Sequence, residues 1–174
     1  MPPALPDQRD QIVDPLSAYQ LVSMLEGVVQ RGTGTIVRAV GKPIAGKTGT
    51  TNDSFDAWFV GFTPDLVAGI WVGFDQPRTL GEAEQGASVA APIFRDFMAG
   101  ALEGKRATPF RIPQGIRLVR IDEATGAPAQ PGDQSVIVEA FKPGTEPTVT
   151  GGGASAGLGG FRKLGHVSGT GGLY

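Results

Sequence analysis

The stretch Gly41-Lys-Pro-Ile-Ala-Gly46-Lys47-Thr48 sets two glycines apart by four residues and follows them with Lys and Thr, the pattern of a phosphate-binding loop. That chemistry needs a helix starting at the Lys-Thr, so that free amides and the helix dipole face the phosphates. Here Gly49-Thr-Thr-Asn-Asp53 follows, a run of poor helix formers leading into a strand pattern. The run ending at Phe74 before Asp75 imitates the strand and acid that hold magnesium elsewhere, but its partner strand lies across a three-residue turn rather than a crossover. A nucleotide binder is therefore the last of three readings. The same residues also read as a strand ending at a cleft. Alternation then puts Lys47 and Gly49 on one face and Thr48 and Thr50 on the other, and Gly49 removes a side chain where a ligand could approach the backbone.

Composition removes other chemistries. There is no cysteine and one histidine, His166, so thiolate nucleophiles, Cys-based zinc sites and His pairs are excluded. No metal or cofactor is expected. With 15 basic and 17 acidic residues the net charge is -2, which lacks the positive field that non-specific nucleic-acid binding requires. No run of 18 apolar residues occurs, and residues 1–10 lack the basic and apolar regions of a secretory signal, so no membrane contact by this segment is expected. Lys105, Arg106, Arg111, Arg117 and Arg120 form a basic stretch best read as a solvated face.

The elements that must position Lys47 to Thr50 follow from capping and periodicity. Asp14-Pro15 starts a helix, Leu16, Tyr19, Val22, Leu25 and Val29 recur at helical spacing, and Gly32 ends it, predicting a helix over 15–31. Three apolar runs, 43–50, 55–62 and 66–74, are separated by short polar gaps that suit antiparallel neighbours and predict a meander. A second helix follows Pro92, with Ile93, Phe94, Phe97, Met98, Ala101 and Leu102 on one stripe and Gly104 at its end. Trp58, Phe59, Trp71 and Phe74 are expected in the sheet core, and Asp53 and Asp56 as turn residues making local backbone bonds. Residues 116–121 and 136–141 flank a turn-rich stretch and predict an appended hairpin. The chain holds 27 glycines and 14 prolines, about twice the usual share, with 11 of the glycines in residues 143–174. That last stretch is expected to be a disordered tail.

The blocks Gly46-Lys-Thr-Gly-Thr-Thr-Asn-Asp53, Asp56-Ala-Trp-Phe-Val-Gly-Phe-Thr-Pro64, Trp71-Val-Gly-Phe-Asp75 and Ala91-Pro-Ile-Phe94 resemble, in order, the transpeptidase domain of class A penicillin-binding proteins. Met24-Leu-Glu-Gly-Val-Val-Gln-Arg-Gly-Thr-Gly34 fits the same family. The resemblance implies a serine acyltransferase that cross-links peptidoglycan stem peptides and is acylated by β-lactams, its Lys-Thr-Gly strand edging the active-site cleft. Lys47 would then supply positive charge to the proton network, the hydroxyls of Thr48 and Thr50 would bind the substrate carboxylate beside Gly49, and the backbone amide of Thr50 would donate into the oxyanion hole.

The family's Ser-x-x-Lys nucleophile motif is missing: none of Ser17, Ser23, Ser54, Ser88, Ser135, Ser155 and Ser168 has Lys three positions on. Ser-x-Asn is missing too, since Asn52 is the only asparagine. The chain therefore looks like the C-terminal part of a longer enzyme on the periplasmic face of the inner membrane, whose remaining portion would carry the membrane anchor, a glycosyltransferase domain and the serine. The expected fold is α+β, an antiparallel meander flanked by helices, a partial penicillin-binding or β-lactamase-like transpeptidase fold. Its expected division is an irregular lead-in over 1–13, the transpeptidase part over 14–110, the hairpin region over 111–142 and the Gly-rich tail over 143–174. The alternative from another class is a non-catalytic envelope module that binds a protein partner or the cell wall through its sheet edge and hairpin.

Overall fold

The computed structural model describes residues 10–148. His166 and most of the Gly-rich tail lie outside the described residues. The first helix, α1 (Pro15–Arg31), occupies the span predicted for it. Asp14 caps it by accepting from the Ser17 amide at 3.0 Å and the Ser17 hydroxyl at 2.8 Å, and Pro15 fills a first-turn position where no amide is needed. The Gly32 amide donates to Val28 O at 3.1 Å, closing the helix. A 3-10 turn, Thr35–Val40, then leads into the sheet.

Strands β1 (Ala45–Thr50), β2 (Ala57–Phe62) and β3 (Val67–Val72) form an antiparallel meander in the order β1-β2-β3. The register pairs Thr48 with Phe59 and Thr50 with Ala57, and on the other face Lys47 with Val60 and Gly49 with Trp58. Residues 45–50 are thus a strand where a phosphate loop would need a helix. Among the described residues β1 pairs only with β2, so its outer edge is open. A π-helical turn, Gly86–Ala90, runs into α2 (Ala91–Ala101).

One face of the sheet carries the core. Phe59, Phe94, Ile44, Met98, Val29 and Val37 are fully buried there, with α1 against β1 and α2 against the 3-10 turn and the sheet. The rings of Phe59 and Phe94 meet with centroids 4.7 Å apart. Two glycines allow this packing: a Cβ at Gly46 would lie 2.8 Å from the Phe59 ring, and one at Gly61 2.8 Å from the Phe94 ring.

Two expectations about the core are corrected. Of the four aromatics assigned to it, only Phe59 is buried; Trp58, Trp71 and Phe74 are exposed. Trp58 and Trp71 are cross-strand partners, on the face opposite the helices, with centroids 6.3 Å apart. Phe74 lies beyond β3 with the Arg78 guanidinium 3.8 Å from its ring centroid. Along α2 and its C-cap the row Ala91, Phe94, Met98, Leu102 faces the core, while Ile93 and Phe97 are exposed, because six apolar residues cover more of the helix than one sheet can shield.

The hairpin of β4 (Arg117–Asp122) and β5 (Val136–Phe141) forms a separate antiparallel pair that docks on α1. Gln20 donates to Ala140 O at 3.0 Å, Lys142 pairs with Asp14 at 2.9 Å, and Arg31 pairs with Glu139 and Glu123. Arg117 is paired with Glu146 at 2.8 Å. Lys105 and Arg106 line a small cavity with Lys42 between the β2–β3 turn and the end of α2, at the opposite end of the sheet from Thr50. No described helix is long and apolar enough to cross a membrane.

Candidate active-site strand

The last four residues of β1 are brought together with two segments that lie far from them in the chain. Lys47, Thr48 and Gly49 are half-buried and Thr50 is exposed. The Lys47 ammonium curls around the open edge of the strand, 3.0 Å from Thr48 O and 3.4 Å from Thr48 Oγ1. On the helix side, Thr48 Oγ1 lies 2.8 Å from Thr33 Oγ1, in the turn after α1. Thr50 Oγ1 accepts from the Gly86 amide at 3.1 Å.

Backbone polarity follows from the turn beyond the strand. The Thr51 amide donates across the ladder to Asp56 O at 3.1 Å. Antiparallel ladder groups alternate sides, so the amides of Thr48 and Thr50 face the open edge instead of β2. An incoming acceptor can reach them there. The turn itself is fixed by side chains: the Asp56 amide donates to Thr51 Oγ1 at 2.8 Å, and Trp71 Nε1 donates to Asp56 Oδ1 at 2.8 Å. Asp56 thus binds an indole across the sheet in addition to its local bonds with Thr51. Asp53 has φ +60 and Ser54 φ +53, conformations that asparagine and aspartate tolerate better than most side chains.

Gly86 packs on the helix-side face of the same strand, where its amide reaches Thr50. A Cβ there would sit 2.4 Å from Trp58 O and 2.6 Å from Gly49 O, closer than any real contact, so only glycine lets this turn meet the ladder. The turn is closed by Ser88, whose Oγ accepts from the Gln85 amide at 2.9 Å and donates to Ala83 O at 2.8 Å. Neither Thr33 nor Gly86 is among the site residues expected from the sequence. A signal for the first was present: Thr33 stands between Gly32 and Gly34, one the helix cap and the other buried. No group of three or more potential metal ligands occurs among the described residues.

Residues 4–99 match the family described as penicillin binding protein transpeptidase domain. The chain belongs to the penicillin-binding protein transpeptidase family. It is 48% identical over 132 residues to penicillin-binding protein 1A of Rickettsia conorii, covering 76% of this chain and 16% of that one. With penicillin-binding protein 1A of Pseudomonas aeruginosa it shares 46% identity over 138 residues, 79% of this chain and 17% of that one. The crystal structure of penicillin-binding protein 1A from Haemophilus influenzae superimposes with a TM-score of 0.63 at 36% identity, covering 73% of this chain and 20% of that one. The chain spans about a sixth of the length of the curated relatives it matches. The α+β meander with flanking helices is the expected transpeptidase-type arrangement, and the site strand lies inside the matched range.

Proposed function

We propose that this segment forms the carboxylate-binding edge of a serine-type D,D-transpeptidase that cross-links peptidoglycan stem peptides on the periplasmic face of the inner membrane and is acylated by β-lactams. The observation that carries the proposal is the open edge of β1, where two threonine hydroxyls, one lysine and the outward amides of Thr48 and Thr50 converge. Acyl transfer through a serine ester develops negative charge on the carbonyl oxygen as the tetrahedral intermediate forms. The Thr50 amide, on the open edge, is suited to donate to that oxygen. The Thr48 and Thr50 hydroxyls hold the substrate carboxylate, and the Lys47 ammonium contributes the positive charge that attracts it and supports proton transfer at the serine. The serine comes from sequence other than this chain, which has no Ser-x-x-Lys.

The test uses two proteins. The 174-residue chain incubated with benzylpenicillin is expected to show no covalent mass increase by intact-mass analysis. A chimera in which this chain replaces the matching stretch of Pseudomonas aeruginosa penicillin-binding protein 1A is expected to be acylated at the host serine, and Lys47→Ala to slow that acylation by at least about 100-fold, as loss of a preorganised charge does. A stoichiometric adduct on any serine of the isolated chain, or an unimpaired Lys47→Ala chimera, would overturn the proposal.

A further inference from the structure

Thr33 has no part in the site as described from the β1 residues alone, yet its hydroxyl is the nearest side-chain partner of Thr48. A hydroxyl offers one proton and two lone pairs. Around Thr48 Oγ1 stand Thr33 Oγ1 at 2.8 Å and the Lys47 ammonium at 3.4 Å, and an ammonium can only donate. If Thr33 donates as well, both lone pairs of Thr48 are filled and its proton must point to a third partner. If Thr48 donates to Thr33 instead, that proton is consumed inside the protein and nothing is left for an anion. An arriving carboxylate selects the first arrangement.

We infer that Thr33 is a positioning residue of this site, fixing the direction in which Thr48 donates; the inference rests on the carboxylate-binding reading of β1.

The turn that holds Thr33 is built for a fixed position. The amides of Gly32 and Gly34 both donate to Val28 O, at 3.1 and 3.0 Å, which folds the turn back on the end of α1. Gly34 is buried, and a Cβ on it would lie 3.2 Å from the Phe59 ring and 3.3 Å from Val28 O. The turn that carries the exposed Thr33 is therefore held between the end of α1 and, through Gly34, the core aromatic that pairs with Thr48 across the ladder. A plain tertiary tie between α1 and β1 would lower stability alone. A positioning role makes the effect depend on the charge of the ligand.

In the chimera, second-order acylation rates are measured with benzylpenicillin and with its methyl ester, which lacks the anionic carboxylate. Thr33→Val is expected to slow the acid by about 2- to 13-fold, the worth of one ordinary hydrogen bond, while leaving the ester unchanged. Thr33→Ser should restore the acid rate, and Thr33→Val combined with Thr48→Val should be no slower than Thr48→Val alone. Equal slowing of acid and ester, or a wild-type rate for Thr33→Val beside an impaired Thr48→Val, overturns the role of Thr33 and spares the site. A folded chimera in which Thr48→Val also reacts normally overturns the site reading and the inference together. Should the chimera not fold, the 174-residue chain decides by nuclear magnetic resonance. Three-bond couplings are expected to show one side-chain rotamer for Thr48, averaging in Thr33→Val and recovering in Thr33→Ser; no change in Thr33→Val overturns the inference.

Discussion

The meander with its two helices and the β4–β5 hairpin are both antiparallel, yet they are held in different ways. The meander rests on dry contact: Phe59, Phe94, Ile44, Met98, Val29 and Val37 are shielded from water, and glycines at 46 and 61 let the rings lie against the sheet. The hairpin contributes only Ile121 and Ala140 to the buried set and meets α1 through Gln20, Arg31 and Asp14. Apolar burial carries no charge to screen or titrate, whereas exposed ion pairs are screened and titrate. The site strand lies wholly in the first region. Its geometry is therefore expected to survive conditions that loosen the hairpin.

The largest way to break that comparison is Phe59→Ala. It removes a fully buried ring that packs on Phe94, on the strand that pairs with Thr48, and should cost about 3 to 5 kcal/mol in urea unfolding. A cost below about 1 kcal/mol would mean that the meander does not rest on this ring. Gly86→Ala comes next. The added methyl must displace Gly49 O or Trp58 O, so a loss of about 1 to 3 kcal/mol is expected, read as a lowered melting temperature. Unchanged melting would show that the turn can withdraw from the strand.

Smaller effects sharpen the contrast at the hairpin. The Lys142 ammonium, with the Ser17 hydroxyl and amide, holds the Asp14 carboxyl well below the usual carboxylate range. A depressed folded value gives stability that is present above the unfolded value of about 3.9 and lost as pH falls toward the folded one. Hydrogen-exchange protection of β5 amides should therefore decline as pH falls from about 5 toward 3 more than that of β2 amides, and Lys142→Ala should flatten the difference. Equal decline in both strands would contradict the division. Glu26, also on α1, has the opposite sign, since burial pushes its carboxyl up. Its contribution is present below the unfolded value and is lost as pH rises through the folded one. Glu26→Gln should accordingly give a slight rise in melting temperature at neutral pH that disappears in acid, and a fall at neutral pH would contradict the assignment.

Much of this arrangement is legible in the sequence, for local reasons. Asp14-Pro15 and the spacing from Leu16 to Val29 define α1 without any tertiary knowledge, and the polar gaps at 51–54 and 63–65 are too short for anything but antiparallel neighbours. Which aromatics face inward is not legible. Ala57 to Phe62 is apolar at nearly every position, so alternation has no polar residue to mark the outer face, and Trp58 and Trp71 read as core until their partners are known. The candidate site strand is marked in the sequence by Lys47 to Thr50. Its supports are not: Thr33 is 15 residues from Thr48 and Gly86 is 36 from Thr50, and neither separation leaves a periodic trace.

The central claim is that the Thr48 hydroxyl, on the open edge of β1, binds the carboxylate of the acyl donor. Thr48→Val keeps the β-branched shape and removes only that hydroxyl. The deciding measurement is the second-order rate of acylation by benzylpenicillin in the chimera, with melting temperature alongside. Loss of a hydrogen bond to a charged group should slow acylation by roughly 10- to 150-fold while melting stays within about 2 °C of the parent. A wild-type rate in Thr48→Val would contradict the claim and remove β1 from the substrate-binding surface.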